Sequence, residues 1–534
     1  MNNLSLFKWT LSISICLALY SCSTTKENTL PNPKIQEGST KLSGRITNHN
    51  PSDPEANRKL TLTVLQPVTS ESYVSTSSVN EDGSFTFFEI PLQCNFAIGY
   101  LRPERNEYDK IYVCLTSGKE AKIDILYDKT RALFKVINQT DSFGLTSTDL
   151  SSISRVENEI DRYHSPKKTT VSIKTRDEFV HQAKIKINNQ LKKIEKIDTL
   201  SENAKNFVAN NLKIRSLDFP ILDENYKVIM RATNLNAGNK DVEDFNPQDL
   251  DKKQYAFLKD FDLNNPQYLY SSAYRTVLQK ILSNDTLNIS SIGDRPIDQW
   301  TKEVKNSLSK LVGFDKGLFY DLLAVNSYTL QFDNELRPLS GKQEDNINNY
   351  FKDDKADIAK MLLRKNDEIV KLAAQRAPLV VNETPAVSKE KLMDAIVSKY
   401  KGKAVVVDLW VTWCPPYLGR MKEYASLRSE LKDRNVVFVH ITNNTSPQKL
   451  WEERIKWIGG EHYYLNQDEW KYIWNTFNEE DISKAFNGKN IPNTFNFEYI
   501  PTYLIFDTKG KLVEKYMSYR GNEIMKTTIE KLLP

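Results

Sequence analysis

Cys414 is the residue best placed to do chemistry, and it is one of five cysteines in a chain of 534 residues. Residues 404–411 form a nearly continuous run of apolar side chains, which is typical of a central strand buried on both faces. Pro415 and Pro416 suit the first turn of a helix, where a missing N–H costs nothing, and residues 421–431 continue at helical spacing. Cys414 is therefore predicted at a helix N-terminus, where partial positive charge and free N–H groups favour the reactive thiolate.

The first two cysteines of the chain lie in a segment with the pattern of an export signal. Lys8 precedes a short, mostly apolar run over residues 9–20, and this run is too short to span a bilayer, which takes about 20 apolar residues. Residues 19–22 resemble the lipobox of bacterial lipoproteins, in which the cysteine is lipidated and becomes the new N-terminus. A signal peptide over residues 1–21 and a lipid on Cys22 are expected; a plain secretory signal cut nearby is the alternative.

The remaining chain divides into four predicted segments, as expected of a multidomain protein. Residues 22–40 are a polar tether with few large apolar side chains. Residues 41–128 show short β-prone runs and turn signals, among them a hairpin turn at residues 81–84, which together predict an antiparallel β-sandwich. Over residues 149–376 the apolar period becomes helical and predicts a central all-α region. Residues 377–534 form the last segment.

Cys94 and Cys114 lie on apolar runs within the predicted β domain. A disulfide requires the two Cα atoms to lie within about 7 Å of each other, and the sequence does not show their separation. Two states therefore stay open for this pair, a disulfide between neighbouring strands or two buried thiols.

Strands and helices alternate in the C-terminal segment. The sequence predicts a loop at 378–385, a helix at 388–400, strands at 404–411 and 436–442, helices at 421–431 and 447–458, an irregular region to about 496, strands at 502–506 and 512–516, and a helix at 522–533. Parallel strands followed by a terminal β-hairpin are the order of an α/β thioredoxin-like fold.

Two stretches of this segment, residues 401–414 and 499–502, resemble the thioredoxin-like TlpA/ResA group, of the type found in Bacteroidota lipoproteins. The matching positions, in order, are Asp408, Trp410, Trp413, Cys414, Pro416, Pro501 and the turn at 507–510. The resemblance implies that Cys414 is the attacking nucleophile and that Asp408 is a buried carboxylate that moves protons near it. It also implies a cis proline at Pro501 facing the cysteine, and a substrate groove formed by Trp413, Pro415, Pro416, Tyr417, Ile500 and Pro501.

The chain departs from the family at the position of the second, resolving cysteine, which is Tyr417 here. In a two-cysteine site the second thiol breaks the mixed disulfide formed by the first. With Tyr417 that step needs an external reducing thiol or a membrane reductase. The expected substrates are exported proteins that carry thiols or disulfides, and the expected location is the cell envelope, lipid-anchored and facing the periplasm.

Composition and motifs exclude several other classes of protein. Lys and Arg number 73 against 69 Asp and Glu, and the resulting net charge of +4 is too small to indicate a nucleic-acid partner. The five histidines show no metal-ligand spacing, which argues against a metal site. Because phosphate-binding loops and dinucleotide fingerprints are also absent from the sequence, no cofactor is expected.

Two functions of different classes stay open at this level. The first is a membrane-tethered thiol-disulfide oxidoreductase that works through Cys414 alone. The second is a non-catalytic binding or assembly lipoprotein, in which the groove beside Pro501 binds extended peptide without chemistry. Exposure and reactivity of the Cys414 thiol distinguish them.

Overall fold

The structure of the protein, a computed structural model, describes residues 30–53, 56–69, 71–104, 110–128, 133–162, 175–222, 251–412, 421–485, 501–517 and 519–533. Several predicted site residues lie outside these ranges, namely Cys22, Trp413, Cys414, Pro415, Pro416, Tyr417 and Ile500. Within the described ranges, every helix is too short or too polar to cross a membrane.

The first region consists of two four-stranded sheets, ordered β4-β1-β7-β8 and β3-β2-β5-β6. The strands are β1 (Ile35–Ile46), β2 (Lys59–Gln66), β3 (Glu71–Ser78), β4 (Ser84–Cys94), β5 (Phe96–Pro103), β6 (Ile111–Thr116), β7 (Glu120–Asp128) and β8 (Leu133–Gln139). Buried apolar residues from both sheets belong to one hydrophobic cluster, which also includes Leu30. Burial of these side chains supplies the main stabilisation of the region.

Three details of this region differ from the predictions. β1 and β7 run parallel, so the expectation of a purely antiparallel arrangement is wrong for this pair. Gly83 adopts a φ of 85° in the predicted turn, but the turn joins β3 of one sheet to β4 of the other and does not close a hairpin. β1 begins within the segment predicted as a tether, because residues 35–46 are mostly polar and hide their strand character.

Cys94 and Cys114 are free, buried thiols. Burial raises the pKa of Cys94 to about 12, and it also raises the pKa of Cys114. The Cys114 thiol donates to the carbonyl oxygen of Ser142 over 3.3 Å. Of the two states left open by the sequence, the structure therefore has two inert thiols.

The central region is helical, as predicted. Its α-helices are α1 (Ser147–Arg162), α2 (Arg176–Glu195), α3 (Glu202–Ser216), α4 (Ser272–Leu282), α5 (Ile297–Val312), α6 (Leu318–Glu335), α7 (Gly341–Tyr350) and α8 (Ala356–Ala374). The chain also forms short 3-10 helices at Lys252–Phe261, Pro266–Tyr270 and Asp353–Lys355, and a π-helical turn at Leu217–Ile221.

The N-terminal end of the described chain is held against the helical region. Leu30 is only 2% exposed. Its carbonyl oxygen accepts from Nε2 of Gln267 over 3.1 Å, and that of Pro31 accepts from the hydroxyl of Tyr270 over 2.8 Å. The chain is therefore fixed in place several residues before β1 begins.

The C-terminal region is built on a six-stranded sheet ordered β14-β13-β10-β11-β12-β9. Its strands are β9 (Leu379–Asn382), β10 (Ala404–Leu409), β11 (Val436–Asn443), β12 (Gly460–Leu465), β13 (Thr502–Phe506) and β14 (Leu512–Tyr516). The first four pair in parallel, whereas β13 pairs antiparallel with both β10 and β14. The helices are α9 (Lys389–Ser398), α10 (Met421–Glu430), α11 (Gln448–Ile458), α12 (Gln467–Ala485) and α13 (Asn522–Glu530).

Two parts of this sheet were not anticipated. β12 and α12 occupy the stretch predicted to be irregular, and β9 lies within the predicted loop at 378–385. β9 is a four-residue edge strand whose first three residues are exposed. The sequence therefore shows no alternation of apolar and polar residues that would predict a strand there. β12 contains a histidine and two tyrosines and does not resemble an apolar strand.

The two faces of the sheet pack against different layers. One face packs under α10 and α13 in a small cluster centred on Val406, Tyr424 and Tyr503. The opposite face belongs to a large cluster that continues through α9 and α12 into helices α4, α5, α6 and α8 of the central region. The C-terminal region and the helical region therefore share one hydrophobic core.

Candidate functional site

Three polar residues lie side by side across the middle of the C-terminal sheet. Asp408 on β10 is in register with His440 on β11, and His440 is in register with His462 on β12. Residues opposite each other on paired strands point to the same face of a sheet. All three side chains are completely shielded from solvent. Tyr503 on β13 continues this row on the other side of Asp408.

His440 connects Asp408 to a guanidinium group. Its Nδ1 is 3.0 Å from Oδ2 of Asp408, and its Nε2 is 3.3 Å from Nη1 of Arg428 on α10. Arginine can only donate and a carboxylate can only accept, so a neutral imidazole protonated at Nδ1 satisfies both neighbours. Burial, together with the positive charge of Arg428, holds the pKa of His440 well below its usual value and keeps the ring neutral.

Arg428 also binds backbone at the end of α11. Its Nη1 donates to the carbonyl oxygens of Ile458 at 2.8 Å and Gly459 at 3.4 Å. Carbonyl groups at a helix C-terminus have no partner inside the helix, and cationic side chains satisfy them. The guanidinium is thereby fixed beside His440.

The imidazole of His462 packs against one face of the imidazole of His440. The two imidazole rings stack with centroids 4.8 Å apart and planes 21° from parallel. Burial is the main cause that lowers the pKa of His462 well below its usual value, and neighbouring His440 lowers it further. Nε2 of His462 is 3.0 Å from the carbonyl oxygen of Gly459 and donates to it, because a carbonyl can only accept. Within the described chain, Nδ1 of His462 has no hydrogen-bond partner.

Aromatic side chains cover this row on the side of the sheet that faces α10 and α13. The ring of Tyr424 packs edge to face on His440, with 6.0 Å between ring centroids, and on Tyr503, with 5.1 Å between centroids. The ring centroid of Tyr519 lies 5.7 Å from those of both tyrosines. Asp408 thus accepts its hydrogen bond in a low-dielectric environment, where such interactions are strong.

The chain that leaves β10 toward Cys414 is fixed on both sides. The amide of Thr412 donates to Oγ of Ser446 over 3.0 Å, and its carbonyl oxygen accepts from Arg454 of α11. Ser446 is itself held, since its hydroxyl contacts Thr442 at 2.9 Å and its carbonyl accepts from Tyr464 at 2.7 Å. These bonds fix Thr412, the last described residue before Cys414.

Pro501 lies at the same end of the sheet. Thr502 pairs with Leu409 at the end of the antiparallel ladder, so the buried Pro501 lies at the end of β13 that adjoins the end of β10. The cis bond predicted before Pro501 involves Ile500 and lies outside the described residues. The structure therefore brings Asp408 and Pro501 to the strand ends that lead to Cys414. The roles predicted for Cys414, Cys22 and the other groove residues stay predictions.

Sequence reasoning missed the partners of Asp408. In the sequence His440 and His462 do not stand at metal-ligand spacing, and the register that brings them together is visible only once the strands are paired. A usable signal was nevertheless present, since His440 interrupts the apolar run of residues 436–441. In the part of the chain that the structure describes, no group of three or more His, Cys, Asp or Glu side chains is arranged to hold a metal ion.

Comparison with known proteins identifies the fold of the last region. The Redoxin family model matches residues 374–533. An uncharacterized protein of Haemophilus influenzae is 37% identical over 68 residues, which cover 12% of this chain and 43% of that protein. The chain thus matches less than half the length of that curated relative. The C-terminal region is a Redoxin domain with a thioredoxin-like fold.

Among solved structures, a thiol:disulfide interchange protein of the thioredoxin family from Chlorobium tepidum is 19% identical, with a TM-score of 0.20 and coverage of 26% of this chain and 84% of its own. The pneumococcal exposed lipoprotein thioredoxin of Streptococcus pneumoniae is also 19% identical, with a TM-score of 0.18 and coverage of 26% and 90%. Similarity at this level carries no information on activity.

Proposed function

We propose that the protein is an exported, membrane-anchored thiol-disulfide oxidoreductase of the TlpA/ResA type that acts through Cys414 alone. The observation that supports it best is the buried network of Asp408, His440 and Arg428 in the sheet that leads to Cys414. Even a hydrogen-bonded carboxylate recovers only part of the free energy lost when it leaves water, and an apolar side chain in its place is often at least as stabilising, so the burial of Asp408 favours a role beyond stability. Such groups concentrate at functional sites.

In the proposed reaction the Cys414 thiolate attacks one sulfur of a substrate disulfide. A new sulfur–sulfur bond forms, the substrate bond breaks, and the departing substrate sulfur leaves as a thiolate that takes up the proton removed from Cys414. An external thiolate then attacks the mixed disulfide at the substrate sulfur and releases Cys414 as a thiolate. The substrate leaves as a mixed disulfide with the external thiol. A second thiol or a membrane reductase then reduces this mixed disulfide.

Asp408 is the group that takes the Cys414 proton before the attack. A carboxylate can act as a general base when it is held ionised within reach of the proton, directly or through one water molecule. His440 donates to Oδ2 of Asp408 and so fixes the position of the carboxylate. We assign proton acceptance to Asp408 and the positioning of that carboxylate to His440 and Arg428.

The proposed location is the periplasmic face of the cell envelope, with the lipid on Cys22. The proposed partners are exported proteins with thiols or disulfides, together with an external thiol or membrane reductase. An oxidising compartment suits the buried state of Cys94 and Cys114, because their raised pKa values keep them out of disulfide exchange.

The experiment that tests the function is the rate of iodoacetamide alkylation against pH. In a chain lacking residues 1–22, Cys94 and Cys114 are buried, so fast alkylation reports Cys414 alone, and Cys414→Ser is the matched control. We expect a Cys414 pKa clearly below the free value of about 8.5. A thiol that stays unreactive up to about pH 9 would reject the oxidoreductase and leave the binding lipoprotein. Trapping mixed disulfides of Cys414 in cells would then identify the substrates.

A further inference from the structure

A cavity of about 470 Å³ lies where the helical region meets the Redoxin domain. It opens between the end of α8, one side of α10, the start of β11 and the end of α11. Its walls are mostly apolar and include Leu336, Leu372, Val436, Phe438, Trp457 and Ile458. Clefts of about 300–1,000 Å³ with apolar walls and a few fixed polar groups are typical of small-molecule sites.

Two arginines, Arg376 and Arg428, line this cavity. Arg376 donates from Nε to the carbonyl oxygen of Ala373 at 2.9 Å and from Nη1 to that of Lys456 at 2.7 Å, and its guanidinium lies 4.9 Å from the ring of Trp457. Arg428 is held by backbone carbonyls at the end of the same helix, α11. Both guanidinium groups are therefore fixed before any ligand arrives, which reduces the entropic cost of binding.

The acidic residues at this cavity leave its positive charge largely uncompensated. Glu461 is already bound through Oε2 by Asn382 at 2.8 Å, Lys399 at 3.3 Å and Tyr400 at 2.9 Å. Asp433 is exposed to solvent and stands beside the equally exposed Lys432. An incoming anion thus meets two half-buried guanidinium groups among mostly apolar walls.

We propose that this cavity binds a small apolar carboxylate, with the carboxylate on Arg376 and Arg428 and an aromatic or branched aliphatic body against the walls. Guanidinium groups match carboxylates geometrically, because two N–H groups can donate to the two oxygens at once. A body without charge would bury apolar area but leave the guanidinium groups without an anion, and a carboxylate without a body would gain little from the walls. Both parts are needed.

The cavity is connected to Asp408 by hydrogen bonds. Arg428 donates from Nη1 to His440, and His440 donates to Asp408, so the guanidinium that lines the cavity also belongs to the buried network. A bound carboxylate offsets part of the positive charge that His440 experiences. The binding site does not depend on the proposed function of Cys414.

The test is a ¹⁹F NMR titration of the full chain with 4-fluorophenylacetate. We expect saturable binding that phenylacetate competes away, while acetate and 2-phenylethanol at the same concentration do not. Arg376→Leu should weaken binding about tenfold, the scale of one lost charge-assisted hydrogen bond. Arg434→Leu, which removes an exposed arginine that pairs with Glu530 and does not line the cavity, is the matched control. Absence of saturable binding, or equal affinity in both variants, would overturn the proposal.

A second variant covers the case in which Arg376→Leu does not fold. Ala425→Phe keeps both arginines and places a ring in the cavity, and we expect it to abolish binding. Unchanged affinity in Ala425→Phe would also overturn the proposal. Coupling is read from the imidazole signals of His440 in ¹⁵N-histidine-labelled Cys414→Ser protein, which should shift on titration. Because this readout needs no reactive thiol, an inert Cys414 would reject the proposed oxidoreductase without affecting the cavity.

Discussion

Asp408 and His440 lie opposite each other on neighbouring parallel strands, with 3.0 Å between the carboxylate Oδ2 and the imidazole Nδ1. Neither side chain has solvent-accessible surface. Their arrangement depends on a third residue, since Arg428 occupies the other ring nitrogen of His440 and fixes the tautomer that can donate to Asp408. The expected effects of mutation and pH follow from this dependence.

Replacing His440 by Leu should destabilise the protein. The change removes the donor to the buried Asp408 and one acceptor of the half-buried Arg428, and we expect a loss of roughly 2–4 kcal/mol in the free energy of unfolding. Urea denaturation followed by fluorescence measures it. His181→Leu, at an exposed position of α2, should change stability by no more than about 0.5 kcal/mol. Equal effects of the two substitutions would contradict the role assigned to His440.

Stability should fall as the pH drops below about 6.5, because the pKa values of His440 and His462 are lowered in the folded state. Between the folded and unfolded pKa values the unfolded chain binds more protons, so acidification favours unfolding, by about 1.4 kcal/mol per pH unit for each imidazole. Urea midpoints at pH 7, 6 and 5 test this. The slope should be smaller in His462→Phe, and an unchanged slope would show that His462 does not contribute.

Asp408→Asn should slow the reaction of Cys414 at neutral pH. The amide is similar in size to the carboxylate but cannot accept the thiol proton, and we expect a rate about a hundredfold lower, within the range of general-base effects. Stopped-flow measurement of exchange with a model disulfide checks it, with circular dichroism to confirm the fold. If Asp408→Asn reacts at the wild-type rate above and below the Cys414 pKa, Asp408 is a structural residue.

The Redoxin domain should not be stable when cut from the rest of the chain. Its sheet shares one hydrophobic cluster with α4, α5, α6 and α8, so a fragment of residues 374–533 exposes the apolar surface that those helices cover. We expect the fragment to bind a hydrophobic dye and to elute as aggregates in gel filtration, unlike the full chain. A monomeric fragment that binds no dye would show that the shared cluster is dispensable.

The sequence predicted those parts of the fold in which composition follows burial. β10 is an apolar run interrupted only by Asp408 and was predicted, as were the terminal strands β13 and β14 and helices such as α11. β1 and β12 were missed because both carry mostly polar or aromatic side chains in strands whose pairing decides their burial. The network around Asp408 could not be derived, since it depends on the register of β10, β11 and β12.

If Cys22 carries the proposed lipid, the docking of Leu30 and Pro31 on the helical region would limit how far the protein can stand from the membrane. Residues 23–29 would then connect the lipidated Cys22 to Leu30. Even fully extended, these seven residues span about 25 Å. The protein would then work at a short, nearly constant height above the lipid surface, which favours targets that are themselves embedded in or newly emerging through that membrane.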